Sequence, residues 1–332
     1  MKALDDPLRF HGDTEAVGMI DFAVNVFPGP PPTWLSEAMH AGLDDAGHYP
    51  DPSVAEKAIA KRHGRPATEV LATAGAAEAF GLLARLSPWS MPVVVHPQFT
   101  EPQAALEEAQ YDVVEVPTDA EFRLDPAAVP EEADLVFVGN PTNPTGVLHP
   151  KESILALLRP GRLVVVDEAF MDVVAGESES LAEHRDDGLV VLRSLTKHWG
   201  IPGVRAGYLL AHAAVVRDCR LGQTPWSVSS TALAALVACS SPDADADADA
   251  RAATLTSWRE HLEQGLDSLG IRRVPSAAGF VLAKVGEGVH DRLRTVGVAV
   301  RRADTFPGLG PAWVRIAARP PDLTDQLLHN LR

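Results

Sequence analysis

A series of short apolar runs constrains this chain more than any other feature. They lie at 91–96, 112–116, 135–139, 163–167, 189–193 and 206–210. They are β-branched or apolar, bounded by turn residues, and separated in several places by stretches with helical spacing. Val164-Val165-Val166 leaves no polar position for a solvent face, as expected of a strand covered on both sides. The alternation predicts an α/β fold with a mostly parallel central sheet. Upstream, helices are expected at 34–43, 53–63 and 75–86, and an apolar helix at 227–239. Beyond it the elements change. An amphipathic helix is expected at 251–269, strands near 280–285, 298–301 and 313–317, and helices near 289–295 and from Leu323. These describe a smaller C-terminal α+β domain. The expected division is an irregular, proline-rich N-terminal arm at 1–33, a large domain at 34–240 and a small domain at 241–332. From Asp243 to Ala250 the chain alternates Asp and Ala. Alternating Asp has no fixed ligand geometry, so this run is expected to be an exposed loop or a helix start.

The charge balance narrows the partners. The 332 residues carry a formal net charge of −16. A chain this acidic repels nucleic acid and anionic membrane surfaces, so neither is expected as a partner. No apolar run reaches the length of a membrane span, and residues 1–13 lack the apolar stretch of a signal peptide. Cys219 and Cys239 stand in no ligand spacing and are expected as buried free thiols, which fits a reducing, cytoplasmic location. No H-E-x-x-H or clustered Cys/His pattern appears, so no metal site is expected.

The stretch Ser194-Leu195-Thr196-Lys197-His198-Trp199-Gly200-Ile201-Pro202-Gly203-Val204-Arg205 follows one of the apolar runs. Two hydroxyls and a guanidinium make good ligands for a phosphate dianion. A lysine close to other cations can have its pKa lowered and become a nucleophile. Pyridoxal phosphate is the cofactor that needs both a phosphate cup and a Schiff-base lysine. The same residues would also serve a solvated loop, with Lys197 as a surface charge, so the rest of the chain has to decide.

Other constellations bear on that choice. Asn140-Pro141-Thr142-Asn143-Pro144-Thr145-Gly146 follows the run at 135–139, at the carboxyl end of an expected strand, where ligands of open α/β sheets bind. Asp167 ends a buried valine run, where a carboxylate is costly without a cationic partner such as a protonated pyridine nitrogen. Helix capping is the alternative for it. Gly75-Ala76-Ala77-Glu78 opens a helix with small residues, which lets backbone N–H groups meet a phosphate. Arg315 sits inside the apolar run at 313–318, with Arg301 before it and Arg319 after it. A guanidinium there needs a buried anion or an internal ion pair.

In this order, Gly75-Ala76-Ala77, Asn143, Asp167, Ser194-x-x-Lys197 and Arg205 resemble the fold-type I pyridoxal-phosphate enzymes of aminotransferase class I/II, over nearly the whole chain. The resemblance is strongest to the branch holding histidinol-phosphate aminotransferases and the threonine-phosphate decarboxylases of cobalamin synthesis. His11-Gly12, Asp21-Phe22-Ala23-Val24-Asn25, Tyr49-Pro50-Asp51-Pro52, Asp167-Glu168-Ala169-Phe170, Pro225-Trp226-Ser227-Val228 and Arg315-Ile316-Ala317-Ala318-Arg319 point to the decarboxylase side. The resemblance implies that Lys197 carries the cofactor and shuttles protons, Asp167 pairs with the pyridine nitrogen, and Asn143 bonds the phenolic oxygen. Ala76, Ala77, Ser194, Thr196 and Arg205 would hold the phosphate, and Phe99 would stack on the ring. Tyr49 would reach the neighbouring subunit's phosphate, which implies a homodimer. Arg315 would take a substrate carboxylate and Arg301 the substrate's own phosphate, with His11, Asn25 and Arg319 also on the substrate side.

Departures from the family pattern gather on the substrate side. Phe170 replaces a usual Tyr, as decarboxylase-like members also do. Val26-Phe27-Pro28-Gly29 lacks an Asn, Ser229 stands where an Asn is usual, and so does Gly279 before Phe280. The leading expectation is a decarboxylase-like enzyme acting on L-threonine-O-3-phosphate. The alternative is amino transfer on a histidinol-phosphate-type amine or another amino acid. A non-catalytic sensor domain is a remote third, because no helix-turn-helix region or basic patch accompanies the motifs. A dehydrogenase would need G-x-G-x-x-G after its first strand, and none is present.

Overall fold

The computed structural model describes residues 7–14 and 16–332; residues 1–6 of the expected arm lie outside them. The strands, in chain order, are β1 (Ile20–Phe22), β2 (Val70–Thr73), β3 (Pro92–His96), β4 (Val114–Pro117), β5 (Leu135–Gly139), β6 (Leu163–Asp167), β7 (Leu189–Ser194), β8 (Gly207–Ala211), β9 (Arg272–Arg273), β10 (Phe280–Lys284), β11 (Val298–Arg302) and β12 (Trp313–Ala317). The helices are α1 (Thr33–Asp44), α2 (Ser53–Arg62), α3 (Ala76–Ala84), α4 (Glu101–Glu108), α5 (Lys151–Leu155), α6 (Leu195–His198), α7 (Ala213–Gly222), α8 (Ser230–Cys239), α9 (Asp245–Ser268), α10 (Val289–Thr295) and α11 (Pro321–Leu331).

The large sheet has seven strands in the order β2-β8-β7-β6-β5-β3-β4. The pairings from β4 through β7 are parallel, and β8 runs antiparallel to both its neighbours. Successive side chains of a strand face opposite sides, and the core divides that way. Val136, Val138, Val164 and Val166 pack on one face, and Leu135, Phe137, Leu163 and Val165 on the other. Both faces are dry because helices cover both, as the unbroken valine runs require.

The small sheet runs β1-β11-β12-β10-β9. Its first strand is a correction to the irregular arm expected at 1–33. Ile20, Asp21 and Phe22 pair in parallel with Val298, Ala299 and Val300, and Phe22 is fully buried in the core of that sheet. The small unit is thus built from both ends of the chain. The Asp-Ala run is a helix start: α9 begins at Asp245, Asp245 accepts from Arg62 (2.7 Å) and Asp247 from Trp34 Nε1 (2.6 Å). Both cysteines are buried and free. Among the described residues, no helix is long and apolar enough to cross a membrane.

Beneath the carboxyl ends of β6 and β7 lies a buried charge network. Arg193 donates to both oxygens of Glu177 (2.7 Å each), to Asp172 (3.1 Å) and to Glu168 (3.3 Å). Glu168 also accepts from Leu181 N–H and Ser180 Oγ, at 2.7 Å each. Burial lifts the Glu168 carboxyl to about 7, with Arg193 opposing. Burial also acts upward on Glu177, but Arg193 outweighs it and holds that carboxyl at about 2. Arg193→Met strands these carboxylates, and should destabilise the protein by about 3–5 kcal/mol, read as a lower denaturant midpoint at pH 8. The folded value of Glu168 lies above its unfolded one, so the native state binds the extra proton and acidification favours it. The loss should therefore shrink as pH falls from 8 through 7. An unchanged midpoint at pH 8 would show that water already satisfies these groups.

Candidate active site

Parallel pairing brings the three polar motifs to one edge. Gly139 of β5 stands opposite Asp167 of β6, and Asp167 opposite Leu192 of β7. The loop from Asn140 to Gly146, the carboxylate of Asp167 and the turn after Ser194 therefore open on the same side of the sheet. A cavity of about 540 Å³ lies there, walled on its far side by residues of the N-terminal segment and of the small sheet. Lys197, Asp167, Asn143, Ala76, Ala77, Phe99, Ser194, Thr196 and Arg205 all line it, and so do His11, Asn25, Arg301 and Arg315.

Two of these groups are poised against each other. Burial lowers the Lys197 ammonium to about 8, with Arg315 and Arg205 pushing the same way and Asp167 and Asp13 opposing. Burial raises the Asp167 carboxyl to about 6, against the Ala169 N–H (3.1 Å) and Lys197. A carboxylate so placed is stabilised by any cation brought beside it. A lysine so placed is available as a free amine near neutral pH.

The anion cup is built by close backbone approach. Ser194 Oγ and Thr196 Oγ1 are 2.8 Å apart, at the start of α6. Across from them α3 opens at Ala76 from Gly75, whose φ is +75°. A Cβ on Gly75 would collide with Arg205 Nη2, and one on Gly207 would stand 2.9 Å from the Gly75 Cα. Only glycine lets β8, the start of α3 and the Arg205 side chain converge. Arg205 itself is left-handed (φ 60°, ψ 51°) and donates to Pro202 O at 3.0 Å. Helix N-terminus, hydroxyls and guanidinium together suit a phosphate dianion. With Asp167 and Lys197 beside that cup, the residues present fit pyridoxal phosphate.

The arginines divide by position. Arg315 is nearly fully buried and donates to Asn143 Oδ1 (2.6 Å) and Ala23 O (2.5 Å). With the Asn25 amide turned so that its oxygen faces the guanidinium, Asn25 accepts from Arg315 Nε (3.0 Å) and Nη1 (3.2 Å). Arg301 lies against the rings of Phe10 (4.6 Å) and Phe306 (4.8 Å), and donates to Phe10 O and Thr305 Oγ1 at 2.7 Å. Arg319, expected on the substrate side, does not line the main cavity but a small pocket beside it that Lys197, Asn25 and Phe170 also line. It donates to Asp21 O (2.7 Å), Val24 O (2.6 Å) and Ala318 O (3.0 Å), and pairs with the Asp21 carboxylate at 3.4 Å. Tyr49 does not line it either: the ring is exposed and stacks on Trp226 at 4.3 Å.

Several cavity residues carried no sequence signal. Glu101, at the start of α4, lies 2.8 Å from His11 Nε2 and accepts from Arg9 (2.6 Å). Asp13, Phe10 and Phe306 also line the cleft. Phe10 and Asp13 flank the His11-Gly12 motif without belonging to it, Phe306 follows β11, and Glu101 reaches the cleft from the end of β3 in the large sheet. Of the fitting glycines, Gly75 is marked by the Gly75-Ala76-Ala77-Glu78 helix start, and Gly207 lies unmarked within the apolar run at 206–210.

The family model for aminotransferase class I and II matches residues 17–331. A histidinol-phosphate aminotransferase of Mycobacterium tuberculosis is 46% identical over 318 residues, which cover 94% of this chain and 87% of that protein. The threonine-phosphate decarboxylase of Salmonella typhimurium is 30% identical over 339 residues, covering 95% and 90%. Among solved structures, the histidinol-phosphate aminotransferase from Clostridium acetobutylicum has the same fold, with a TM-score of 0.88 at 24% identity over 94% of this chain and 98% of that one. With a family match across nearly its whole length and a donor set that fits the cofactor, this chain belongs to the class I and II aminotransferases, pyridoxal-phosphate-dependent enzymes of fold type I.

Proposed function

We propose that this enzyme transfers the amino group of a small phosphorylated amine of the histidinol-phosphate type. The observation that carries this reading is the 46% identity to a histidinol-phosphate aminotransferase, against 30% to a threonine-phosphate decarboxylase. It reverses the order in which the motifs alone rank the two. Bound pyridoxal phosphate would supply a carbonyl carbon that receives the amino group and an electron-withdrawing ring beside it. Lys197 Nζ takes and returns the proton at the substrate carbon. Asp167 holds a cation beside its carboxylate, and Asn143 donates toward the ring oxygen. Ala76, Ala77, Ser194, Thr196 and Arg205 hold the phosphate, and Phe99 packs against the ring. Arg301, with His11 and Asn25 nearby, takes the phosphate of the substrate. Arg315 takes a carboxylate where the substrate or amino acceptor has one.

Threonine-phosphate decarboxylation is the second reading, and Phe170 favours it. Its ring packs edge-on against Phe280 (5.0 Å, 79°) and has no hydroxyl to offer the cofactor. We further propose a cytoplasmic homodimer in which Tyr49, exposed in the single chain, reaches the partner's phosphate. A substrate panel separates the two chemistries. Histidinol phosphate with a keto acid should give amino transfer and no carbon dioxide; carbon dioxide released from threonine phosphate at a higher kcat/KM would replace the first reading with the second.

Borohydride reduction of the holoprotein should fix the cofactor on Lys197, and Lys197→Ala should abolish turnover without loss of fold. In the apoprotein, reaction of Lys197 with an aldehyde should speed up as pH rises through about 8, where the ammonium gives up its proton. Arg205→Ala removes a neighbouring cation, so that midpoint should move upward. A rate profile still rising at pH 10 would show an ordinary, solvated lysine.

Truncating each cleft arginine should cost about 2–5 kcal/mol on the substrate that uses it. Arg301→Ala should hurt phosphorylated substrates strongly and others little. In single-turnover half-reactions without keto acid, Arg315→Ala should hurt amino acids strongly and histidinol phosphate little. Equal loss on every substrate would assign both arginines to the scaffold.

A further inference from the structure

The helix that carries Lys197 is too short to hold itself. α6 spans Leu195–His198, and the last carbonyls of a helix have no partners within it. A single turn also has too few internal bonds to be stable alone. Two groups from distant parts of the chain supply what is missing. The Phe27 N–H donates to Lys197 O at 2.9 Å, a shorter bond than the 3.3 Å one from Gly200 N–H to the same oxygen. Arg251 Nη1, from α9, donates to His198 O at 3.3 Å. The two are also in contact with each other, since the Arg251 guanidinium carbon lies 4.2 Å from the centre of the Phe27 ring.

We propose that Phe27 and Arg251 form a clamp that positions the Lys197 turn, each donating to a carbonyl at the end of α6 and each held in place by the other. The surroundings are built for it. Trp199, directly after α6, stands 5.6 Å from the same guanidinium, and Trp258 packs against the Phe27 ring at 5.8 Å. Gly200 has φ +71°, and a Cβ there would lie 3.0 Å from Phe27 O, so a side chain would hold the arm off the turn. His198 adds a second tie to α9, with Nε2 3.1 Å from Ala248 O. Burial lowers Arg251 from its usual value, and a partly desolvated cation on a ring face is where such a contact is strongest. Neither residue lines the main cavity, although Phe27 lines a small pocket beside it with Lys197, Asn25 and Phe170; both are assigned as positioning residues. Their reach extends further, because the arm holding Phe27 also supplies Ala23 O and Asn25 to Arg315. One segment therefore seats the lysine turn and the carboxylate-binding arginine together.

The test is the pH midpoint of the visible band of the lysine-bound cofactor in the holoprotein. It needs no substrate, so an error in the substrate proposed above leaves it untouched. The charged groups around Lys197, namely Arg205, Arg315, Asp167 and Asp13, are unaltered in every variant. Phe27→Leu and Arg251→Met should each move the midpoint by about half a pH unit or more, a roughly threefold change in the proton equilibrium. The double variant should move it no further than the larger single shift, the mark of a coupled pair. Arg251→Lys keeps a cation over the ring and should restore most of the shift. Should Arg251→Met fail to fold, Phe27→Leu and Arg251→Lys carry the test. Unchanged midpoints, even with a lowered Tm, would make the contact mere packing and overturn the proposal. So would a shift in one single variant but not the other, additive shifts in the double variant, or an Arg251→Lys as displaced as Arg251→Met.

Discussion

The parallel pairing of β5, β6 and β7 is the constraint on which the rest of the molecule depends. Parallel neighbours end on the same side, so the residues that follow each strand meet without any long-range design of their own. In register, Gly139, Asp167 and Leu192 lie side by side. The Asn143 loop, the Asp167 carboxylate and the Lys197 turn are thus fixed to strands packed on both faces by apolar side chains. Slipping β6 by a residue would exchange the side chains packed on its two faces and carry Asp167 out of line with Gly139 and Leu192. The register that builds the core therefore also builds the site.

Electrostatics then does at the edge what packing does beneath it. Asp167 and Lys197 sit in the same low-polarity cleft, and desolvation disfavours the charged form of both. It acts upward on the carboxyl and downward on the ammonium. Each group partly rescues the other's charge. Arg205 and Arg315 tilt the balance on Lys197 toward the free amine. A cofactor phosphate at Arg205 or a carboxylate at Arg315 would cancel that tilt. The state of the lysine is therefore tied to what occupies the anion sites, by Coulomb terms alone.

Much of this was legible in the sequence. Runs such as Leu135 to Gly139 and Leu163 to Asp167 read as strands at their observed bounds, because a fully buried strand needs an unbroken apolar run and has no other way to be written. The polar residues at their ends read as a site for the complementary reason: Asp167 and Lys197 interrupt what burial would otherwise dictate. The parts that were not legible depend on partners far away in the chain. β1 is only three residues, and nothing in Ile20-Asp21-Phe22 announces a strand until β11 lies beside it. The Asp-Ala run reads as an exposed loop or a helix start; α9 does begin there, and what the sequence leaves out is that Trp34 and Arg62 give two of its carboxylates partners. Tyr49 could not be placed at a site, because the resemblance assigns it to a partner subunit's.

Arg319 shows where the reasoning from residue type divides. An arginine next to an apolar strand needs a buried acceptor, and an anionic ligand is one answer. The backbone is another. Beyond β1 the arm has no ladder, yet Ala23 is fully buried, so the carbonyls around it need donors. Arg319 provides them at Asp21 and Val24. A lysine could reach one such carbonyl; the planar fork of an arginine spans two that are three residues apart. By holding Asp21 and Val24, Arg319 fixes the backbone that presents Ala23 O and Asn25 to Arg315 and carries Phe27 to the Lys197 turn. Arg319 thus bears on the site through a segment with no regular structure, and its donors go mainly to peptide carbonyls, with the Asp21 carboxylate (3.4 Å) as an internal anion.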